Sequence, residues 1–439
     1  MTTPKIAIIG AGPAGLTLAR LLHVANPTGI DFKIYERDAS PTSRPDQGGT
    51  LDLHADTGLA AIRQCGLWDS FRRYARYDGQ EMKIVDKNAT TLVHMGGGKE
   101  KKGVFNRPEI DRVRLQEILL ESVPRGSVRW GRRLREVTEG GMLRFDVSEQ
   151  EGRDGDGDEE GPFDLVVGAD GAWSKVRERL TADTPNYSGI SGFEMDIRQP
   201  EKTCPDVDRL VGRGAFMGSS DSKFLNAQRL GDGRLKVRSW YRCEEGEAKR
   251  ELETNGKEGT LKNIISRYDG WAPEMIEFFK QGELDSLRYW TLYELPVGTR
   301  WEHKKGTTLM GDAASLATPF SGEGVNKAMT DSMELAALIV ESHDPESDLS
   351  IDQAISKFEQ KMFPRSENIQ ARTMNNKQAW FSPAAPVGSM TELLRKMTGE
   401  SPSIFVRLLG TAPVVAAFYT YLWTRQQIGR LVRVYWRKM

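Results

Sequence analysis

Apolar positions come in two rhythms along this chain. Lys5-Ile6-Ala7-Ile8-Ile9, Phe163-Asp164-Leu165-Val166-Val167 and Thr307-Thr308-Leu309-Met310 are short runs dominated by aliphatic and β-branched residues, the pattern of strands covered on both faces. After the first run, Leu16, Leu18, Ala19, Leu21 and Leu22 predict a helix with one packed side, and Asp31 to Glu36 reads as the next strand. Between the outer runs the rhythm changes. Leu235 to Tyr241 alternates apolar with polar, and Ser188 to Arg198 holds another short run, so a half-buried sheet is expected there. From Ser350 to Arg372 the spacing predicts a long helix, with a kink expected at Pro364. The whole reads as an α/β chain.

The turn after the first run is Gly10-Ala11-Gly12-Pro13-Ala14-Gly15, a G-x-G-x-x-G motif. Glycines alone are a weak signal, but here strand, turn, helix, second strand and a terminal acid, Glu36, follow in order. Each part has a task in holding a dinucleotide. Gly10 permits the tight turn, Gly12 lets a pyrophosphate approach the backbone, and Gly15 lets the helix pack on the sheet. The helix start offers N–H groups and the positive end of its dipole to phosphate. Glu36 would accept hydrogen bonds from ribose hydroxyls, and it argues against a 2′-phosphate. The motif does not separate NAD from FAD.

With 439 residues the chain exceeds what one core normally organises, so two interlocked domains are expected. Hydrophobic residues at 38% and charged residues at 28% give a globular composition. A net charge of -1 gives no electrostatic footprint for nucleic acid. Cys65, Cys204 and Cys243 are widely spaced and the histidines form no ligand set, so buried thiols in a reducing, cytoplasmic setting and no metal are expected. The acidic, glycine-rich stretch 149–161 lacks a full calcium-loop pattern and reads as a disordered hairpin tip. No nucleophile elbow is present.

Two further motifs carry a resemblance. Gly168-Ala169-Asp170-Gly171 follows the second apolar run, and Gly311-Asp312-Ala313-Ala314-Ser315 follows the third, with Pro319-Phe320-Ser321-Gly322-Glu323-Gly324-Val325-Asn326 after it. Three motifs in this order resemble the class A flavin monooxygenases, typified by p-hydroxybenzoate hydroxylase, over roughly residues 4–375. Gly48 to His54, Asn106 to Arg112 and Asp196 to Glu201 are similar to the tetracycline-inactivating monooxygenases and their fungal secondary-metabolism relatives. The resemblance implies an α/β fold in which a Rossmann-like, glutathione-reductase-type FAD domain (1–185 and 300–375) interleaves with a β-sheet substrate domain (186–299, with strands also from about 75–110), followed by C-terminal helices (376–439). It implies FAD as cofactor and NADPH or NADH and O₂ as cosubstrates. The implied reaction is hydroxylation or epoxidation through a flavin C4a-hydroperoxide, chemistry that the cofactor supplies. Carried over residue by residue, the cofactor set is Gly10, Gly12, Ala14, Gly15, Glu36, Arg37, Arg112, Asp170, Asp312, Pro319, Gly322, Gly324, Val325 and Asn326. Asp312 would lie beside the pyrophosphate and ribityl chain, and the helix after Asn326 would stabilise charge on the reduced flavin. Alternatives stay open: Asp170 and Ser174 as helix caps, and Arg112 as a solvated helix residue.

The substrate side departs from the tetracycline enzymes. Glu194 stands where they have glutamine, Ala215 falls at or near their arginine, Lys236 at or near their histidine, and Ser315 replaces a common histidine. Tetracycline is therefore not the expected substrate. Glu194 would suit a cationic amine or an indole N–H, as in an alkaloid, or would pair with Arg238 or Lys236 on a neighbouring strand. Asp46 is a candidate to place or protonate substrate, or a solvated loop acid. Glu194, Arg238 and Asp46 make up the substrate-side set. Beyond Ser401 an apolar, aromatic stretch mixes with arginines and no acid. It reads as a basic helix for peripheral membrane contact or as packing over the rest of the chain. A monomer taking a small-molecule substrate is expected. Two rival readings are an FAD-linked reductase that does not use O₂ and a non-catalytic flavin-binding protein.

Overall fold

A computed structural model describes residues 4–25, 29–43, 48–96, 107–146, 158–390 and 412–436. The chain divides into two compact units. The first comprises residues 1–75, 101–186 and 293–373, the second 76–100, 187–292 and 374–439.

The first unit is built on a five-stranded, all-parallel sheet in the order Thr307–Leu309, Leu165–Gly168, Lys5–Ile9, Asp31–Tyr35, Val128–Arg129. Three of its five strands are the apolar runs. Ile6, Ala7, Ile8, Leu165, Val166 and Val167 are fully buried because both faces are covered. The register sets Ile9 beside Gly168 and Tyr35, which brings the glycine turn and the Asp-Gly turn to the same edge of the sheet. The helix Pro13–Ala25 packs against Gly324–Ser342 and Arg112–Ser122. A small antiparallel sheet includes Leu143–Phe145 and Glu159–Glu160, and residues 149–157 of the acidic stretch lie outside the described residues.

The second unit holds a seven-stranded sheet in the order Arg288–Glu294, Asn186–Ile197, Leu235–Arg242, Lys223–Arg229, Ala215–Ser220, Met82–Val85, Thr91–Met95. The run expected within Ser188 to Arg198 lies in the twelve-residue strand Asn186–Ile197. One face, carrying Leu235, Val237, Met195 and Phe193, packs on the helices Glu247–Arg267 and Pro273–Lys280 through Tyr268, Trp271 and Met275. Alternation puts Lys236, Arg238, Glu194 and Asp196 on the other face.

The long helix runs Ile351–Trp380, eight residues past the expected end, and stays helical through Pro364. Among the described residues no helix is long and apolar enough to cross a membrane.

Candidate cofactor site and substrate face

The three motif glycines differ in what a side chain would meet. Gly10 has φ +109°, and a Cβ there would lie 2.3 Å from the Ala169 carbonyl oxygen. At Gly15 a Cβ would lie 2.0 Å from the Gly10 carbonyl oxygen, so helix and strand touch backbone to backbone. Gly12 has no atom within 4 Å of its Cβ position. Two glycines thus close the turn, and the third faces open space. The Leu16 N–H makes the first bond of the helix, to Gly12 O at 3.0 Å, which leaves the Ala14 and Gly15 N–H groups ahead of the ladder. Glu36 holds the turn from the side. Its carboxylate accepts the Ala11 N–H at 2.8 Å and the Asp38 N–H at 3.0 Å. Arg37 beside it is exposed.

The Asp-Gly turn is held by side chains ahead of the helix Arg177–Leu180. Asp170 Oδ2 accepts the Lys175 N–H at 2.8 Å, and Ser174 Oγ accepts the Arg177 N–H at 3.0 Å. Asp170 Oδ1 is buried with no partner among the described residues. Burial pushes this carboxyl above the usual carboxylate range, against the hydrogen bonds from Ser174 and Lys175.

Asp312 begins the short helix Asp312–Ser315. Solvent reaches its side chain, yet protein crowds it closely enough that burial raises its carboxyl against the opposing charges of Lys327 and Arg112. Asp312 follows Thr307–Leu309 at the sheet edge that carries the glycine turn and the Asp-Gly turn, and these neighbouring turns border one recess. Arg112, which opens the helix Arg112–Ser122, is exposed and has no hydrogen-bond or ion-pair partner for its guanidinium among the described residues. Pro319 starts the turn Pro319–Ser321. Gly322, in the left-handed region at φ +69°, leads to the uncapped start of Gly324–Ser342, where Gly322 and Gly324 are exposed and Val325 is half-buried. Asn326 is buried and its side chain is committed to protein. Its Oδ1 accepts from His54 N at 2.8 Å, Thr57 Oγ1 at 3.0 Å and Gly58 N at 3.2 Å, and its Nδ2 donates to Asp52 O at 2.8 Å.

Sequence reasoning missed the charges beneath this recess. Lys327 and Asp331 are buried one turn apart, 2.9 Å between Nζ and Oδ2. Asp331 also accepts the Gly311 N–H at 3.0 Å, Lys327 donates to Gly311 O at 3.0 Å, and Arg365 closes the set on Asp331 at 2.8 Å and Glu334 at 2.7 Å. Both hydrogen-bonding groups of Gly311 are clamped, which fixes where Asp312 starts. The available signal was a Lys-Asp pair at i, i+4 on the same helix stripe as Ala328, Ser332 and Leu335.

On the second unit, Glu194 stands opposite Arg238 and Asp196 opposite Lys236. Arg238 Nε donates to Glu194 at 2.6 Å, Lys236 reaches Glu194 at 3.4 Å and Asp196 at 2.9 Å, and Arg234 reaches Asp196 at 2.8 Å. Cross-strand pairing, one of the two alternatives the sequence offered, is the arrangement observed, so Glu194 is not a free carboxylate awaiting a cation. The Ser315 hydroxyl in the first unit is buried without a partner among the described residues. Asp46 lies outside the described residues.

An open space over Gly12, two helix starts, an unpaired guanidinium and an unpartnered carboxylate oxygen together fit a diphosphate bearing hydroxyl groups. The "FAD binding domain" family model matches residues 3–350. The chain belongs to this family of FAD-dependent monooxygenases. The enzyme is 32% identical to the monooxygenase asqM of Emericella nidulans, over 87% of this chain and 96% of that one. Its fold matches that of Klebsiella pneumoniae HpxO, solved with FAD and uric acid, with TM-score 0.69 at 17% identity over 95% and 96% of the two chains. The tetracycline destructase Tet(51) matches with TM-score 0.62 at 15% identity, over 88% and 94%. FAD is therefore the cofactor of this monooxygenase, and the likeness to class A enzymes holds.

Proposed function

We propose that the enzyme uses NAD(P)H and O₂ to place one oxygen atom on an aromatic, alkaloid-like secondary metabolite that presents a hydrogen-bond acceptor. Hydroxylation or epoxidation puts one atom of O₂ on the substrate and releases the other as water, with NAD(P)H supplying two electrons. Bound FAD supplies the oxygen-activating chemistry. The chain's part is positional. The N–H groups ahead of Leu16 and at the start of Gly324–Ser342 would face anionic cofactor groups. Arg112 would meet cofactor charge, and Asp312, placed by Gly311, would meet a hydroxyl.

The observation that carries the substrate class is Arg238. It uses Nε on Glu194 at 2.6 Å and has no other hydrogen-bond or ion-pair partner among the described residues. Its Nη N–H groups remain as donors on a face whose carboxylates are already neutralised. A carbonyl, lactam or phenolate suits such a donor, and a cationic amine does not. The reading descends from the alkaloid expectation but reverses the polarity of the contact.

The test is flavin reduction by NADPH without oxygen, across aromatic lactams, phenols and cationic indole amines, followed by admission of ¹⁸O₂. Faster bleaching with an acceptor-bearing compound that then gains one ¹⁸O supports the reading. Response to cationic amines alone overturns the substrate class. Bleaching with every compound and no oxygenated product overturns the reaction.

A further inference from the structure

The C-terminal helix Ala412–Trp436 commits only one side to the second unit. Leu422 is fully buried. One side of the helix also presses so closely on the turn before Thr91–Met95 that a Cβ at Gly429 would lie 2.0 Å from Thr90 Oγ1. At 3.6 residues per turn these two positions share a line along the helix. Away from that line, Tyr421 is 50% exposed, Ile428 55% and Leu431 70%, at i, i+7 and i+10 on one flank of the helix. Large apolar groups gathered on one exposed stripe mark a contact surface.

Charge identifies the partner. From residue 401 onward the chain carries six cations (Arg407, Arg425, Arg430, Arg433, Arg437, Lys438) and no acid, so the last 39 residues hold +6 and the first 400 hold -7. Two copies of such a segment repel, which disfavours the stripe as a self-association face. Tyrosine and tryptophan are the side chains that settle at a membrane–water boundary. The helix is not apolar enough to cross a bilayer. The segment also lies past residue 350, where the family match ends.

We propose that this helix lies on the surface of an anionic lipid bilayer, with Tyr421, Ile428 and Leu431 in the boundary layer and the segment's net positive charge drawing it to the headgroups. The test is flotation of the full-length, FAD-loaded enzyme with phosphatidylcholine vesicles, with and without phosphatidylserine, at low and high salt. Flotation is expected with the anionic vesicles at low salt and should fall at least about tenfold without phosphatidylserine or at high salt. Tyr421→Ser, Ile428→Ser and Leu431→Ser combined should reduce flotation about tenfold or more while leaving the flavin spectrum and turnover unchanged. No flotation of the unaltered enzyme with any vesicle, or equal flotation of the triple variant, overturns the proposal. A dimer in sedimentation velocity that the triple variant dissolves, without vesicle binding, overturns it in favour of self-association.

Discussion

The recess of the first unit and the charged strands of the second both gather polar groups, but they satisfy them differently. In the recess, capacity is left over. Asp170 keeps an unpartnered oxygen, Arg112 an unpaired guanidinium, and the helix start at Gly324 has no capping side chain. On the strands, Glu194, Asp196, Lys236 and Arg234 answer one another almost completely. Unfilled polar capacity is what a tightly held cofactor completes. A self-satisfied ladder is rigid and selects by rejecting ligands that would disturb it.

The largest effect expected from breaking this contrast is at Lys327. Lys327→Met leaves Asp331 short of one partner in a dry site and should destabilise the protein by about 3 kcal/mol. It should also weaken FAD binding, because Gly311 loses half its clamp. Urea unfolding and FAD titration of the same sample read both losses. Arg238→Met comes next. Stranding Glu194 with only the 3.4 Å contact to Lys236 should cost about 2 kcal/mol, with FAD affinity unchanged. A shift in FAD affinity there would erase the distinction between the regions.

Gly12→Ala sharpens it. The added methyl meets no protein atom, so the stability of the FAD-free protein should stay within about 0.5 kcal/mol. FAD should nonetheless bind on the order of tenfold more weakly, a difference of roughly 1.4 kcal/mol. The smallest effect is the pH dependence at Asp312. Burial raises this carboxyl in the folded chain, so ionising it opposes folding above that raised value, and the penalty disappears as pH falls below the ordinary carboxylate range. Asp312→Asn should therefore raise the melting temperature of the FAD-free protein slightly at pH 8 and leave it nearly unchanged at pH 3. An equal rise at both values would contradict this account.

The parallel sheet was legible because strands covered on both faces must be apolar throughout, as Leu165-Val166-Val167 is. The glycine turn was legible because backbone contact excludes a Cβ at Gly10 and Gly15 whatever surrounds them. Side-chain commitments were not. Whether Glu194 waits for a ligand or pairs across strands depends on register, and register is a property of two segments 42 residues apart. The Lys327–Asp331–Arg365 clamp was hidden because buried charges look like surface ones in sequence. The second unit's long strand was legible within Ser188 to Arg198 although Gly189 and Gly192 interrupt its apolar rhythm. Membership of the family fixes the cofactor, whereas the fold alone does not name the substrate.

The amide of Asn326 has a consequence for how the protein is made. It ties residue 326 to Asp52, His54, Thr57 and Gly58, and the sheet needs Thr307–Leu309 at its edge. At roughly 5–20 residues per second, a ribosome finishes the glycine turn tens of seconds before it makes the segments that complete the recess. The nascent chain therefore carries half a nucleotide site through most of its synthesis. A site that needs these segments together cannot be complete until residue 326 has been made.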